Sequence, residues 1–333
     1  MPFRIPLGPG PTLALTLLCV LFPSTSNADT RLLRQPTLSD THIAFTYGSD
    51  LWIVARDGGR ARRLTSTPAV QSNPRVSPDG RHLAFSSNRA GEHAVYVLPV
   101  EGGTPKRLTW YPAPSYARGW TPDGKRILYA SARGTAPSSY ERLWTVSPDG
   151  GPSEMLPAPW GHDASYSRDG QRLIVDRVTR WDWEWRHYRG GQNTPLTILD
   201  LKDLSEIRLP NERTTDSHPV WMDGTIYFLS DRDWNKDIWA YDPATEELEQ
   251  LTDFDDVDVK WLSGHDGTLV FERDGWIHSF DTADGEIRKV EIDVVGDFPW
   301  AETRWEDVGD RARSAALSPP GKRAVFEARG EIF

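Results

Sequence analysis

The chain has 333 residues, a formal charge of −10 and 26% charged residues, a balance ordinary for a soluble globular protein. An acidic chain lacks the clustered Lys and Arg that phosphate contacts require, which excludes nucleic-acid binding. Fifteen Trp are unusual. Trp52, Trp120, Trp144, Trp221, Trp239, Trp261 and Trp276 suggest a large aromatic returning in similar structural slots.

The first element is a leader. Arg4 precedes an apolar run over residues 13–22, and Ser26-Asn27-Ala28 offers a small-residue exit, so residues 1–28 read as a signal peptide cut after Ala28. That run is half of the ~20 residues needed to span a bilayer, which argues against a membrane anchor. Leu18 before Cys19 argues against a lipoprotein signal. Cys19 is the single cysteine, so the mature chain forms no disulfide. An exported protein, periplasmic or secreted and free of the membrane after cleavage, is expected.

Beyond the leader one turn recurs: Ser77-Pro78-Asp79-Gly80, Thr121-Pro122-Asp123-Gly124, Ser167-Arg168-Asp169-Gly170, Trp221-Met222-Asp223-Gly224, Gly264-His265-Asp266-Gly267 and Ser318-Pro319-Pro320-Gly321. A degenerate first copy stands at Leu38-Ser39-Asp40. Successive glycines lie 44, 46, 54, 43 and 54 residues apart, close to the ~40–45 of propeller blades with insertions in two copies. After Gly80, residues 81–87 alternate Leu83 and Phe85 on one face, Ala94-Val95-Tyr96-Val97-Leu98 forms a third strand and Lys106-Arg107-Leu108-Thr109 a fourth. The third strand returns as Asp50-Leu51-Trp52-Ile53-Val54, Arg142-Leu143-Trp144-Thr145-Val146, Asp237-Ile238-Trp239-Ala240-Tyr241 and Gly275-Trp276-Ile277-His278, and the fourth as Arg63-Leu64-Thr65 and Gln250-Leu251-Thr252.

Four short strands per repeat without helical periodicity predict an all-β fold, a six-bladed β-propeller of four-stranded blades over residues 29–293. A linker over 294–313 carries Phe298-Pro299-Trp300 and Arg304-Trp305-Glu306, and residues 314–333 open a fresh cycle. A blade with half its strands would expose unpaired backbone edges. Residues 314–333 therefore read as the truncated first strands of a second propeller, and the chain as a fragment.

The repeat over residues 72–109 resembles that shared by TolB and the tricorn-type serine peptidases. Arg304-Trp305-Glu306 and the restart through Ser318-Pro319-Pro320-Gly321 are similar to the junction between the six-bladed and seven-bladed propellers of tricorn. Tyr188-Arg189-Gly190-Gly191 is similar to a stretch of bacterial tricorn homologues, and no α/β domain of the TolB kind precedes the first blade. The resemblance covers nearly all of residues 31–333. It implies the N-terminal propeller of an oligomeric peptidase, a hexamer in the family, that degrades oligopeptides. Its propellers gate a catalytic core, with serine nucleophile and histidine beyond Phe333. Tricorn proteins are usually regarded as cytosolic, so the leader is a departure. The alternative is a non-enzymatic periplasmic scaffold of the TolB kind that binds protein partners.

The residues themselves agree that no catalytic group lies within the chain, for no G-x-S-x-G, H-E-x-x-H or C-x-x-C stretch occurs. Asp253, Asp255, Asp256 and Asp258 lack the glycine and glutamate of a calcium loop, and no His pair has metal-ligand spacing. No cofactor and no metal are expected. Arg89, Arg133 and Arg232 share the slot after the second strand, where a charge-assisted hydrogen bond would hold the turn. Two insertions break the pattern. Residues 134–141 have Arg133 and Arg142 at their ends, and residues 179–193 concentrate Trp, Tyr and Arg, the side chains that dominate binding hot spots. The second either presents a recognition surface or braces the ring, its arginines paired with Asp182 and Glu184. The tricorn family holds the carboxylate end of a peptide with basic propeller residues, and the resemblance makes Arg133, Arg142, Arg186, Tyr188 and Arg189 the candidate substrate-binding residues.

Overall fold

The computed structural model describes residues 30–135, 140–178, 187–298, 305, 307–328 and 330–332. The expected leader and its cleavage site lie outside the described residues, as do parts of both insertions and Arg186.

Each blade grows from the same turn chemistry. The Ser77 hydroxyl donates to Asp79 Oδ1 at 2.5 Å, Asp79 accepts from the Arg81 amide at 3.1 Å, and the Gly80 amide closes onto the Ser77 carbonyl at 2.8 Å. Gly80 has φ +69°, a left-handed conformation that glycine adopts without steric cost. Thr121 with Asp123 and Ser167 with Asp169 repeat the arrangement. Hydrogen bonds from the hydroxyl, then from the backbone, hold all three carboxyls below their ordinary range.

Six contiguous stretches each fold into one four-stranded antiparallel sheet, and the inner strands neighbour one another in order, with the last beside the first. These sheets are the blades of a six-bladed propeller. Successive side chains on a strand point to opposite faces. In blade two Leu83, Phe85 and Tyr96 therefore pack against Leu51 and Ile53 of blade one, whereas Ala84, Val95 and Val97 pack against Ile127 and Tyr129 of blade three. Both faces are buried, which is why these strands read as near-continuous apolar runs.

A cross-strand pair of large side chains stands in the middle of nearly every blade: Phe45 with Trp52, Phe85 with Tyr96, Tyr129 with Trp144, Phe228 with Trp239 and Phe271 with His278. In blade six the slot thus holds His278 and not Trp276, which stands two residues earlier at the start of its strand. Trp120 and Trp221 occupy a different slot, near the end of the inner strand. The recurrence of Trp therefore reflects more than one site in the blade. Fourth strands are shorter than the Leu-Thr pattern suggests. Pairing stops at Arg63, Arg107 and Gln250 because the threonine two residues on uses its side chain: Thr65, Thr109 and Thr252 Oγ1 accept the amides of Leu51, Val95 and Ile238 at 2.9–3.0 Å.

Among the described residues, no strand of blade one or blade six joins the other's four-stranded sheet. Closure rests on an apolar layer joining Leu33, Phe45 and Trp52 of blade one to Val270 and Ile277 of blade six, and on Arg34 Nε donating to Glu272 at 2.7 Å. It is completed by a parallel pairing of Ile292–Asp293 with Gly59–Arg60. Val294 and Phe298, inside the expected linker, also pack in this layer. A separate three-stranded sheet follows, Ala312–Leu317, Ala324–Ala328 and Glu331–Ile332, and Ser318 closes its first turn as Ser77 does.

Gly58 measures the closure. It has φ +96°, and a Cβ there would lie 2.4 Å from the Glu291 carbonyl oxygen. Gly59 has φ +103° with nothing within 4 Å of such a Cβ. Gly58→Ala should therefore cost about 2 kcal/mol or more, and Gly59→Ala only the ~1 kcal/mol of backbone strain. Urea unfolding of both variants checks the difference; equal costs would remove the close contact from the account.

Candidate functional site

Strand direction alternates within a blade. The connections from second to third strand and from one blade to the next therefore emerge on one face, where each inner strand begins. Both insertions are connections of this kind. So are the segments carrying the exposed aromatics Trp110, Tyr111, Tyr140, Trp160 and Trp234, which makes an aromatic arc over blades three to five. Tyr140 and Trp160 meet edge to face at 6.5 Å, and the Arg107 guanidinium lies 4.6 Å over Trp110.

Within this face the arginine slot is built alike in three blades. The amides of Arg89, Arg133 and Arg232 donate to Ser87, Ser131 and Ser230 Oγ at 3.2–3.3 Å, and each guanidinium lies over the aromatic of the third strand, 4.8–5.0 Å from Tyr96, Trp144 or Trp239. The inner strand then decides the partner. Arg89 Nη2 donates to Gln71 Oε1 at 2.8 Å and Arg232 Nη2 to the buried Asp216 Oδ2 at 2.9 Å. In blade three that position is Ser115, too short to reach. Among the described residues Arg133 has no carboxylate; it sits between Tyr111 at 4.9 Å and Trp144 at 4.8 Å. Arg142 starts the third strand two residues before Trp144, hence on the same face, and its Nε is buried without a hydrogen-bond partner among the described residues. Blade three thus gathers two cations and exposed rings at one end.

The other insertion behaves differently. Arg189 Nη1 donates to both Asp231 oxygens at 3.0 Å and Nη2 to the Asp231 carbonyl at 2.8 Å, while its guanidinium lies 5.5 Å over Trp234. The Tyr188 carbonyl accepts from Asn193 Nδ2. The described part of the insertion is pinned to blade five through Asp231; Asp182 and Glu184 lie outside the described residues. Arg189 also borders an open groove of about 570 Å³ lined by Arg232, Trp239, Asn211 and Gln250. Arg133 and Arg142 therefore share one end and one face of blade three, whereas Tyr188 and Arg189 belong to the junction of blades four and five. In the acidic run, Asp256 pairs with Arg273 and Asp258 Oδ1 accepts the Lys236 amide at 3.1 Å.

A second polar centre lies on the ring axis. Arg118 Nη2 donates to His162 Nε2 at 2.9 Å, which leaves the His162 proton on Nδ1, facing Glu141. Arg75 Nε donates to the Arg118 carbonyl at 2.7 Å, and Nη2 stands 3.8 Å from Asp163. His218 meets Trp261 at 5.3 Å.

The tricorn protease N-terminal β-propeller family model matches residues 30–286. The chain belongs to this family. Tricorn protease homolog 1 of Streptomyces coelicolor is 31% identical over 84% of this chain and 27% of its own length. The crystal structure of the tricorn protease superposes with a TM-score of 0.76 at 26% identity, over 91% of this chain and 30% of that one. TolB from Agrobacterium tumefaciens superposes at 0.50 with 20% identity over 78% of this chain and 80% of that one, a likeness of fold alone. The chain spans under a third of the tricorn relatives' length. No helix among the described residues is long and apolar enough to cross a membrane.

Sequence reasoning on this tricorn propeller missed the axial centre. The available signal was the inner strand, where Ser72-Asn73-Pro74-Arg75 and Ser217-His218-Pro219-Val220 align and Arg75 appears once. Burial lowers His162, with Arg118 adding to it; burial pushes His218 well below its ordinary value, with Lys236 and Arg75 adding; and burial with Arg273 and Lys289 brings His278 down to about 4. Each imidazole binds a proton more weakly folded than unfolded. Stability present above pH ~6.5 is therefore lost as pH falls below it, for His278 down to about 4. Melting temperature should drop between pH 7 and pH 5, and His218→Asn, which installs the Asn73 equivalent, should flatten that drop; an unchanged slope would remove His218 from the linkage. Arg232→Ala, which takes the cation from Asp216 at 0% exposure and leaves it the neutral donors Asn211, Thr214 and Ser230, should cost about 3 kcal/mol in denaturant unfolding.

Proposed function

We propose that this chain is the gating and docking propeller of a serine peptidase of the tricorn type, exported by its leader, which degrades oligopeptides. The groups that cut the peptide bond belong to the parent protein outside these residues. Residues 314–333 begin its second propeller, residues 294–313 link the two, and the parent assembles as a homo-oligomer. Support comes from family membership, from the match to under a third of the relatives' length, and from the turn that Ser318 repeats.

The observation that carries the docking role is Arg133. Its slot equivalents Arg89 and Arg232 are satisfied by Gln71 and Asp216, while Arg133 lies between two rings without a carboxylate among the described residues. Aromatic faces fix a guanidinium and leave its edge donors for a planar anion. A peptide's terminal carboxylate fits that edge, Arg142 supplies a second charge, and the arc of Tyr111, Tyr140 and Trp160 offers apolar contact for the preceding side chains.

A hydrogen bond to a charged group contributes about 1.5–3 kcal/mol, or roughly 10- to 150-fold in affinity. Arg133→Glu should weaken binding of a free-carboxylate oligopeptide by about tenfold or more while leaving its C-terminally amidated counterpart nearly unchanged, with Arg142→Glu a smaller effect in the same direction. Fluorescence anisotropy with both peptides reads this. Affinity for the free-carboxylate peptide that stays constant in Arg133→Glu would overturn the docking role.

A further inference from the structure

The pairing registers align the six inner strands. Opposite Ala84 stands Arg75, and in the same position the other blades carry Thr37, Gly119, Ser165, Val220 and Ser263. None of these five is larger than valine, so only Arg75 has the length to cross the middle of the ring.

Its contacts show that it does. Blade two borders blades one and three, yet Arg75 approaches Asp163 of blade four at 3.8 Å and its guanidinium lies 4.6 Å over the Trp261 ring of blade six, while Nε donates to the Arg118 carbonyl of blade three at 2.7 Å. A side chain that touches three other blades, two of them not its neighbours, lies on the axis. It is 8% exposed, and His218 and Trp261 beside it are each 6% exposed.

The layer it closes against is strained. Gln35, Asn73, His218 and Trp261 have φ between +52° and +55°, each where the register between inner and second strand breaks. A bulge re-aims a side chain, and the left-handed conformation costs a non-glycine residue of order 1 kcal/mol or more. Four blades bear that cost to turn polar or aromatic groups toward the axis, where Arg75 stacks on one of them. The plug is also imperfectly neutralised, for the Asp163 oxygen is too distant for a direct hydrogen bond and Arg118 places a second guanidinium nearby. Burial, eased by Asp163, lowers Arg75 to about 10.

We infer that Arg75 is the bar of the axial passage: the single side chain that shuts the ring and, by swinging aside, sets the width of chain that can thread it. For its purpose the inference rests on the gating role proposed above; its test does not. Diethyl pyrocarbonate modifies accessible neutral imidazoles, and peptide mapping of the full-length protein reads each histidine separately. With Arg75 in place His218 should react at least tenfold more slowly than the partly exposed His42. In Arg75→Ala the His218 rate should rise about tenfold or more, while His42 and the inter-blade His278 keep theirs.

His218 equally protected in both proteins, or as reactive as His42 in the native one, would overturn the inference. A rise at His278 as well would mark a loosened fold; Arg75→Ser, the residue that blades four and six carry in this position, then decides. If that variant loosens too, Arg75 is a brace and not a bar. Because the readout is side-chain reactivity, this result and the peptide-binding result can fail separately.

Discussion

A four-stranded blade of this chain has two apolar faces and can bury neither alone. Leu83 and Phe85 need blade one while Ala84 and Val97 need blade three, and the same holds around the ring. Burying a Leu or Phe side chain contributes about 1.5–3 kcal/mol, so each blade is stable only between two others and the set is stable only when closed. The ring is thus the smallest unit that leaves no apolar face in water. Closure, from the Phe45 and Trp52 layer to the pairing at Gly59–Arg60, is the contact on which all the other inter-blade layers depend.

Closing a ring creates an axis, and the axis is where the repeat stops being a repeat. Around the perimeter identical slots meet nearly identical surroundings, so Thr65, Thr109 and Thr252 hook their blades alike. At the centre six inner strands converge, and one long side chain fills what six would overfill. Arg75 with small partners in the other blades is one solution to that crowding. The bulges at Gln35, Asn73, His218 and Trp261 belong to the same solution, since they bend the inner strand and turn its side chains inward.

Much of this fold was legible in the sequence because its signals are local. The Ser-Pro-Asp-Gly turn, alternation at Leu83 and Phe85, and the glycine spacing each report a contact made within a few residues, and six copies make them unmistakable. The arginine slot was legible for the same reason. What was not legible depends on contacts between blades. Trp276 was aligned with Trp52, but the strand pairing puts His278 in that slot. Arg189 pairs with Asp231 of the next blade, a partner that no local spacing announces. The axial groups Arg75, Arg118, His162 and His218 are separated by 43 to 143 residues, and their meeting follows only once the ring has closed.

The repeat itself supplies the means to separate architecture from function. Six copies of one slot are six near-equivalent environments, so the ring serves as its own reference for each position. Arg89 and Arg232 show what an arginine does when it is there to hold a turn: it finds Gln71 or Asp216. Arg133 occupies the same backbone slot and the same aromatic stack but faces Ser115. The structural requirement is therefore met by the amide bond to Ser131, by Trp144 and by the Tyr129 side chain, and among the described residues no carboxylate faces the guanidinium. Arg75 shows the converse case, a slot in which threonine, glycine, serine and valine satisfy the blade elsewhere in the ring. Its length answers no demand of the repeat. A side chain that exceeds what its slot needs in the other copies is best explained by something that happens at that one place, and in this ring the two such places stand apart: one at its rim, one across its centre.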